Sequence, residues 1–344
     1  MVKSKKTKDL KISVVIPTLN RAGILSNMLN SLTKQTYKNF EVVIVDGGST
    51  DKTRELVESF RKKLNIKFVP CERGLIKQEN KAIEEITGDV YLRTDDDAEA
   101  PPGWLAAIND TFELGKEVGG ATGPTITPDK TTRDLFTFEN KFHSGNWFWK
   151  LIGKFYFGYI LEGKQDEIGK HVKSGAFTLG SNYPEALKLK QPVEVDFHDC
   201  CTMAIRKDVL NQVGPFDTVY GGVGDCNESD MSLRIKEAGY KIYSNPKAFV
   251  YHHTSKSGVF SARANAYPRI KNFIEFYFRR IKPNTPDKML RFLAYVFFQN
   301  SYYTFMFLQQ RKWGFLGGWA AAVIHIPRLM LKPESWQGGM KFDR

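Results

Sequence analysis

Apolar residues in the first hundred positions fall into short, uninterrupted runs. Residues 12–16 (ISVVI), 41–45 (EVVIV), 66–69 (IKFV) and 89–93 (DVYLR) each read as a strand buried on both faces. Between them, residues 22–33, 51–64 and 78–86 carry apolar positions at helical spacing, with Ser49 or Thr50 as a cap for the second helix. Pro101-Pro102-Gly103 opens another helix. Strand–helix alternation at this spacing predicts βαβ units and a mostly parallel sheet, whose ligands sit at the carboxyl ends of the strands. Residues 119–185 are rich in glycine and aromatics and give no clear element. Within them, residues 142–160 are apolar but interrupted by Gly, Lys and Asn. The pattern resumes with a strand running into a helix over 202–212, a helix over 230–239 that closes on a glycine, and an extended segment over 241–251.

From residue 269 the pattern changes. Residues 270–280 have helical spacing beside a basic end. Residues 292–310 form a 19-residue run without a charge, yet hold Gln299, Asn300, Ser301, Gln309 and Gln310. Residues 313–327 are a further 15 without a charge, with several glycines. A spanning helix needs about 20 predominantly apolar residues. Two interfacial or shallow re-entrant helices are therefore expected, ahead of two spans or an ordinary core or dimer interface.

Charge sharpens that division. The chain of 344 residues carries a net +12, but residues 1–255 hold 35 basic and 34 acidic side chains, whereas residues 256–344 hold 15 and 4. The latter also carry 19 of the 45 aromatics. A separate module that docks on an anionic membrane surface fits this mixture. A nucleic-acid partner accounts for the basic tail but not for the carboxylates described next, which repel phosphate. Residues 1–10 read as a solvated tail. No small-residue cleavage site follows the Lys-rich start, so no signal peptide is expected. The apolar share of 42% and charged share of 26% exclude a disordered chain and a polytopic membrane protein. Cys71, Cys200, Cys201 and Cys226 form no CxxC pair, which argues against a disulfide framework and a structural zinc site and fits a reducing compartment.

The chemistry concentrates at strand ends. Thr94-Asp95-Asp96-Asp97 directly follows the fourth strand, and three adjacent carboxylates need a cation or strong donor nearby. Period two places Asp95 and Asp97 on one side with Asp96 pointing away. Such an Asp-x-Asp suits a hard divalent ion that shares its shell with a phosphate. The second strand also ends in a carboxylate, Asp46, followed by Gly47 and Gly48, which let a ligand approach the backbone. There is no GxxxxGK[ST] and no GxGxxG after the first strand, which excludes a P-loop and weighs against NAD.

ISVVIPTLNR, EVVIVDGGSTDKT, GDVYLRTDDDAEAPPGWL, NESDMSLRIKEAGYKI and VYHH, in that order, resemble the family 2 glycosyltransferases of the GT-A fold over roughly residues 11–255. The resemblance implies an α/β fold, Rossmann-like, with a mostly parallel central sheet and helices on both faces, to which this chain adds a C-terminal helical, aromatic and basic module. The expected organisation is a polar tail at 1–10, a transferase domain at 11–255 with a nucleotide half over 11–125 and an acceptor half over 126–255, and a membrane-associating helical region at 256–344. The resemblance assigns Pro17, Thr18, Asn20, Arg21, Asp46 and Gly48 to the nucleoside, Asp95 and Asp96 to the donor, and Asp97 to a metal, Mn²⁺ or Mg²⁺, with His252 or His253 completing the shell. It departs from the usual Asp-Asp-Gly-Ser at Gly47. It also has Gln78-Glu79-Asn80 where the family often has Ala-Arg-Asn, so a cation is missing that Lys77 or Arg73 could supply.

Asn227-Glu228-Ser229-Asp230 matches the family's general-base segment, with Glu228 at the place of the base and Asp230 as rival. The same residues also read as a helix start, where acids favour the positive end. His198, Asp199 and Trp104 fall where the resemblance places acceptor-facing groups. The expected activity is a metal-dependent, inverting hexosyl transfer from a UDP- or GDP-sugar to a hydroxyl or phosphate of a membrane lipid, polyprenyl phosphate or lipid-linked glycan, at the cytoplasmic side of the membrane. Sugar nucleotidyl transfer and an inactive nucleotide-sugar-binding scaffold are the alternatives.

Overall fold

The computed structural model describes residues 9–128, 142–143, 145–178, 184–253 and 264–332. The start of the polar tail and two parts of the basic region, 256–263 and 333–344, lie outside the described residues, as does 129–141 within the Gly- and aromatic-rich stretch.

Period-two alternation divides each central strand between two layers. Val14 and Ile16 of β1 (Ile12–Thr18) and Val42 and Ile44 of β2 (Phe40–Asp46) face one core. That core is filled by α1 (Ala22–Thr33), α2 (Thr53–Phe60) and α4 (Trp104–Phe112). Val15, Val43 and Val45 face a second core, lined by α3 (Leu75–Glu85), α7 (Lys207–Val213) and α8 (Asn227–Glu237). With both faces covered, the strands read as nearly continuous apolar runs, interrupted by the buried Ser13 and Glu41, which bond to each other at 2.6 Å.

The main sheet has eight strands in the order β3-β2-β1-β4-β9-β6-β10-β8. β3 (Ile66–Pro70), β2, β1 and β4 (Val90–Arg93) are parallel, and β10 (Lys241–Ser244) is parallel to β6 (Val118–Thr122). β9 (Met203–Arg206) runs antiparallel to both β4 and β6, and β8 (Val193–Val195) antiparallel to β10. A small second sheet, β5 (Ala98–Glu99), β11 (Val250–His252) and β7 (Thr125–Ile126), caps the carboxyl end of β4. This is the expected α/β architecture.

Several boundaries move. α2 starts at Thr53 with Lys52 as its N-cap and no side-chain cap, so neither Ser49 nor Thr50 caps it; the Asp51 carboxylate accepts from the Thr53 amide at 3.0 Å in the turn just before it. α8 starts a turn earlier than expected. The extended segment over 241–251 splits between two sheets: Pro246 breaks the ladder, and the Ala248 amide turns back onto the Asn245 carbonyl at 2.9 Å.

The Gly- and aromatic-rich stretch contains β6, β7, helix α5 (Trp147–Phe155), which runs on as a wider π turn to Ile160, and short α6 (Pro184–Lys188). The C-terminal region forms α9 (Ala266–Phe276), continued by a π turn to Ile281, then α10 (Pro286–Gln310) and α11 (Gly317–Met330). Among the described residues no helix is long and apolar enough to cross a membrane. α9 is buried against the transferase fold: Ile270, Phe273, Ile274 and Phe276 share a core with Tyr220 and Leu233. Charge also ties it in place. Arg269 pairs with Asp225 at 3.2 Å, and Arg279 with Asp217 at 3.1 Å. Much of the basic excess in this stretch is therefore spent on internal ion pairs.

Candidate active site

Three strand ends meet at one spot. The carboxylate of Asp97 follows β4, and β11 pairs with β5 so that His252 lies opposite Ala98. The His253 amide donates to the Asp97 carbonyl at 2.9 Å, which fixes that register. Alternation along β11 then sends the two histidines to opposite sides. His252 Nε2 lies 2.9 Å from Asp97 and 3.9 Å from Asp95, whereas His253 turns outward to Glu99 at 2.9 Å. Ligand atoms of Asp95, Asp97 and His252 all lie within 4.8 Å of one another. Two carboxylate oxygens and one imidazole are a donor set that fits a divalent cation between hard and borderline. Burial pushes the His252 pKa down, but the hydrogen bond to Asp97 and the charge of Asp95 outweigh it and raise it to about 9. Burial pushes the Asp97 carboxyl up, but the hydrogen bonds and charges of His252 and Arg21 outweigh it and hold it down at about 2.

Arg21 clamps the loop from below. Its Nη1 meets Asp96 at 2.6 Å and its Nη2 meets Asp97 at 2.8 Å, while the Thr18 hydroxyl donates to Asp96 at 2.8 Å. Strand alternation does not place these groups: the chain leaves β4 at Arg93 for a turn, in which the Ala98 amide donates to the Asp95 carbonyl at 3.2 Å and Arg21 bridges Asp96 and Asp97. Burial drives its carboxyl up to about 7 despite Arg21. Asp46 is buried and accepts from the amides of Gly48 at 3.2 Å and Ser49 at 2.9 Å and from the Ser49 hydroxyl, forming an Asx turn. Gly48 has φ +94°, and Asn20, in the facing loop, has φ +53°. Asn20 accepts the Thr50 amide at 2.7 Å and so joins the two βα loops. Pro17, Thr18, Asn20, Arg21, Asp46 and Gly48 are thus gathered at the ends of β1 and β2.

Two unusual residues of α3 are explained by their neighbours. A Cβ built on Gly47 would lie 3.3 Å from the Gln78 amide group. Gln78 fills the space that a side chain at 47 would take, and its Nε2 donates to the carbonyls of Val45 at 2.8 Å and Thr18 at 3.0 Å. Lys77 does not supply the missing cation: it pairs at 2.5 Å with Glu72 on the exposed surface. The cation comes from Arg93, the last residue of β4. Its guanidinium reaches Asp95 at 2.8 Å, Glu79 at 3.2 Å and Glu228 at 3.4 Å, and it is buried along with Glu79. Sequence reasoning missed Arg93 and Glu79 as a pair. The available signal was an arginine ending an apolar strand while α3 carries a glutamate where a cation was expected.

One guanidinium cannot neutralise three carboxylates. Burial pushes the Glu79 carboxyl up to about 8 and that of Glu228 up to about 7, with Arg93 pulling both back. Glu228 sits in the first turn of α8, entered through Cys226 at φ +71°, and keeps 18% of its side chain exposed. Asp230 is fully buried and committed. It accepts from Arg280 at 2.6 Å, from Arg234 at 3.0 Å and from the Tyr220 hydroxyl at 3.0 Å. Two of the three residues expected to face the acceptor, Trp104 and His198, are also internal. Trp104 is buried, with its indole N–H on the Thr202 hydroxyl at 3.3 Å. His198 is buried between Ser232 and the Ala204 carbonyl, and burial lowers its pKa to about 4. Asp199 takes hydrogen bonds from the Thr125 hydroxyl and from the Cys201 amide at 3.0 Å. Trp104 and His198 hold β9 and its neighbours together, whereas Asp199 is half-buried and takes both of those hydrogen bonds on Oδ1.

Residues 13–214 match the family described as Glycosyl transferase family 2. The chain belongs to that family. The protein is therefore a glycosyltransferase, and the matched segment includes the whole of the Asp46 and Asp95–Asp97 loops. It is 28% identical over 253 residues, 71% of this chain and 69% of the relative, to glucosyl-dolichyl phosphate glucuronosyltransferase of Haloferax volcanii. A shorter stretch of 93 residues, 26% of this chain and 16% of the relative, is 41% identical to poly(ribitol-phosphate) beta-N-acetylglucosaminyltransferase TarS of Staphylococcus aureus. Among solved structures, mannosyltransferase PcManGT of Pyrobaculum calidifontis, in complex with GDP-Man and Mn²⁺, has a TM-score of 0.53 at 19% identity, covering 92% of this chain and 75% of that one. GalNAc-T7 with UDP, GalNAc and Mn²⁺ has a TM-score of 0.57 at 15% identity, covering 95% and 55%. Both share the GT-A fold with this glycosyltransferase.

Proposed function

We propose that this glycosyltransferase moves a sugar from a UDP- or GDP-sugar to an acceptor hydroxyl or phosphate by a single displacement that inverts the anomeric carbon. The observation that carries the reading is the placement of Glu228 and Asp95 on either side of one guanidinium, so that a carboxylate of raised pKa stands beside the candidate cation centre. Asp95, Asp97 and His252 would hold the cation, Mn²⁺ or Mg²⁺. When bound it supplies charge neutralisation to the departing diphosphate. The loops carrying Thr18, Asn20, Asp46 and Gly48 take the nucleoside. Glu228 accepts the acceptor's proton as attack proceeds, and a pKa near the working pH suits a general base. Asp230, spent on two arginines, does not serve as that base.

A lipid-borne acceptor is supported by a relative named for a glucosyl-dolichyl phosphate and by the basic, aromatic C-terminal helices. Contact with the bilayer is then peripheral. The test is a panel of UDP- and GDP-sugars with Mn²⁺, read as release of nucleoside diphosphate with and without polyprenyl phosphate or glycolipid. Asp97→Ala should abolish release and donor binding together. Cleavage of the donor to a sugar 1-phosphate and a nucleoside mono- or triphosphate, or no turnover with any donor, overturns the reading.

A further inference from the structure

We propose that helix α5, from the middle of the chain, belongs to the surface that meets the membrane, so that the docking face is built jointly by the transferase domain and the C-terminal helices. The inference rests on the membrane reading above and extends it to a segment outside the basic region.

Helix α5 has two apolar faces. The inner one is packed: the Trp149 ring meets Phe305 of α10 edge-on at 6.4 Å, and Tyr156, just past the helix, stacks on Phe298 of α10 at 4.6 Å. The outer one is bare. Trp147 is 76% exposed, Leu151 59% and Phe155 48%, and their spacing of four places them in one stripe. Scattered exposed apolar residues are ordinary, but a contiguous stripe marks an interaction site.

The C-terminal helices, against which the inner face packs, carry exposed apolar residues of their own. Phe297, beside the residue that stacks on Tyr156, is 64% exposed and meets Trp319 of α11 at 5.7 Å. Trp313 is 76% exposed and packs on Phe307 at 4.9 Å. Charge selects the occupant. Residues 147–155 contain two lysines and no acid, and residues 311–332 contain four basic residues and no acid. Lys150 and Lys154 of α5 are both exposed. Trp and Leu next to lysines, in segments that contain no acid, match a bilayer of anionic headgroups, where rings enter the interface and ammonium groups stay with phosphate. The core of a protein–protein contact is instead depleted in lysine. The docking helices also border the base. Arg269 of α9 pairs with Asp225, three residues before Glu228, and its guanidinium lies 5.8 Å over Tyr303 of α10.

The test is flotation of the full chain with phosphatidylcholine vesicles with and without phosphatidylglycerol, with thermal melts as the fold check. The parent should float only with the anionic vesicles. Trp147→Glu/Leu151→Glu should lower partitioning about tenfold or more at unchanged melting temperature. If that pair unfolds the protein, Lys150→Glu/Lys154→Glu on the same helix should still weaken flotation, and unchanged flotation overturns the proposal. It is also overturned if the α5 variants float like the parent while Phe297→Glu/Val323→Glu does not, a result that leaves the C-terminal helices as the docking site. A parent that never floats removes the membrane reading itself. Unchanged flotation together with loss of a dimer in light scattering would assign the stripe to a second copy of this chain and overturn the proposal.

Discussion

The Arg93 guanidinium lies 3.2 Å from the carboxylate of Glu79, and both side chains are almost wholly removed from solvent. The pair joins β4 to α3 beneath the candidate site, and Asn227 of α8 donates to the second Glu79 oxygen at 2.7 Å. Three elements that carry Asp95, the nucleotide-side helix and Glu228 are thereby locked to one another. Where the resemblance places an arginine on α3, this chain puts the acid there and the cation on the adjoining strand.

Removing one member of such a pair leaves an uncompensated buried charge. Arg93→Met should destabilise the fold by about 3–5 kcal/mol, because three carboxylates lose their common partner. Glu79→Gln should cost less, since Asp95 and Glu228 remain to balance Arg93. Urea denaturation of both variants and of the double variant checks this. Equal cost for the two single variants would show that Arg93 is held by Glu79 alone.

Asp230 gives a contrasting expectation. Its two oxygens serve Arg280, Arg234 and Tyr220, and Arg280 comes from the π turn that follows α9. Asp230→Asn should therefore lower stability by about 3–5 kcal/mol, as for any broken buried ion pair. At a temperature where the variant is folded, its turnover should stay near the parent's. Denaturation curves together with kcat on the folded fraction separate these effects, and a folded but inactive variant would return Asp230 to the chemistry.

What could be read in advance follows the range of the interactions involved. β1 and β2 were legible because both of their faces are buried, so their central positions are apolar apart from the paired Ser13 and Glu41. β6 (VGGAT) was not, because two glycines erase the apolar signal of a strand that is nonetheless fully buried. Asp95 and Asp97 do come together with His252, but through a turn beyond β4 and not through the pleat geometry expected for them. The choice between His252 and His253 depends on the pairing of β11 with β5, across about 150 residues of chain, and no local pattern encodes it. Trp104, His198 and Asp199 were assigned by position within a resemblance, but neighbours bury Trp104 and His198 and half-bury Asp199. The apolar C-terminal helices could be located, while the burial of α9 depends on partners such as Tyr220 and Leu233 that periodicity cannot reveal.

Gly47 and Gln78 should behave as one unit. With Gln78 in place, Gly47→Asp brings a side chain within 3.3 Å of its amide and should cost about 1–3 kcal/mol by overpacking. Donor KM should rise as the Asp46 turn is displaced. Gly47→Asp combined with Gln78→Ala should recover most of both losses. Isothermal titration with UDP and GDP alongside thermal melts measures the coupling, and additive effects in the double variant would show that the two positions do not share space.

The pH dependence of transfer should report Glu228. Its carboxyl is raised by burial to about 7, with Arg93 opposing the shift. A base works only when ionised, so kcat/KM should climb about tenfold per pH unit below that value and level off above it. The sign is opposite for a group acting as an acid. Glu228→Gln should keep donor affinity and cut transfer by about 10²- to 10⁴-fold, with the limb gone from the residual rate. Arg93→Gln should move the limb to higher pH, because the cation that favours the ionised form is lost. A profile in Glu228→Gln that retains the parent's limb would assign the proton transfer to another group.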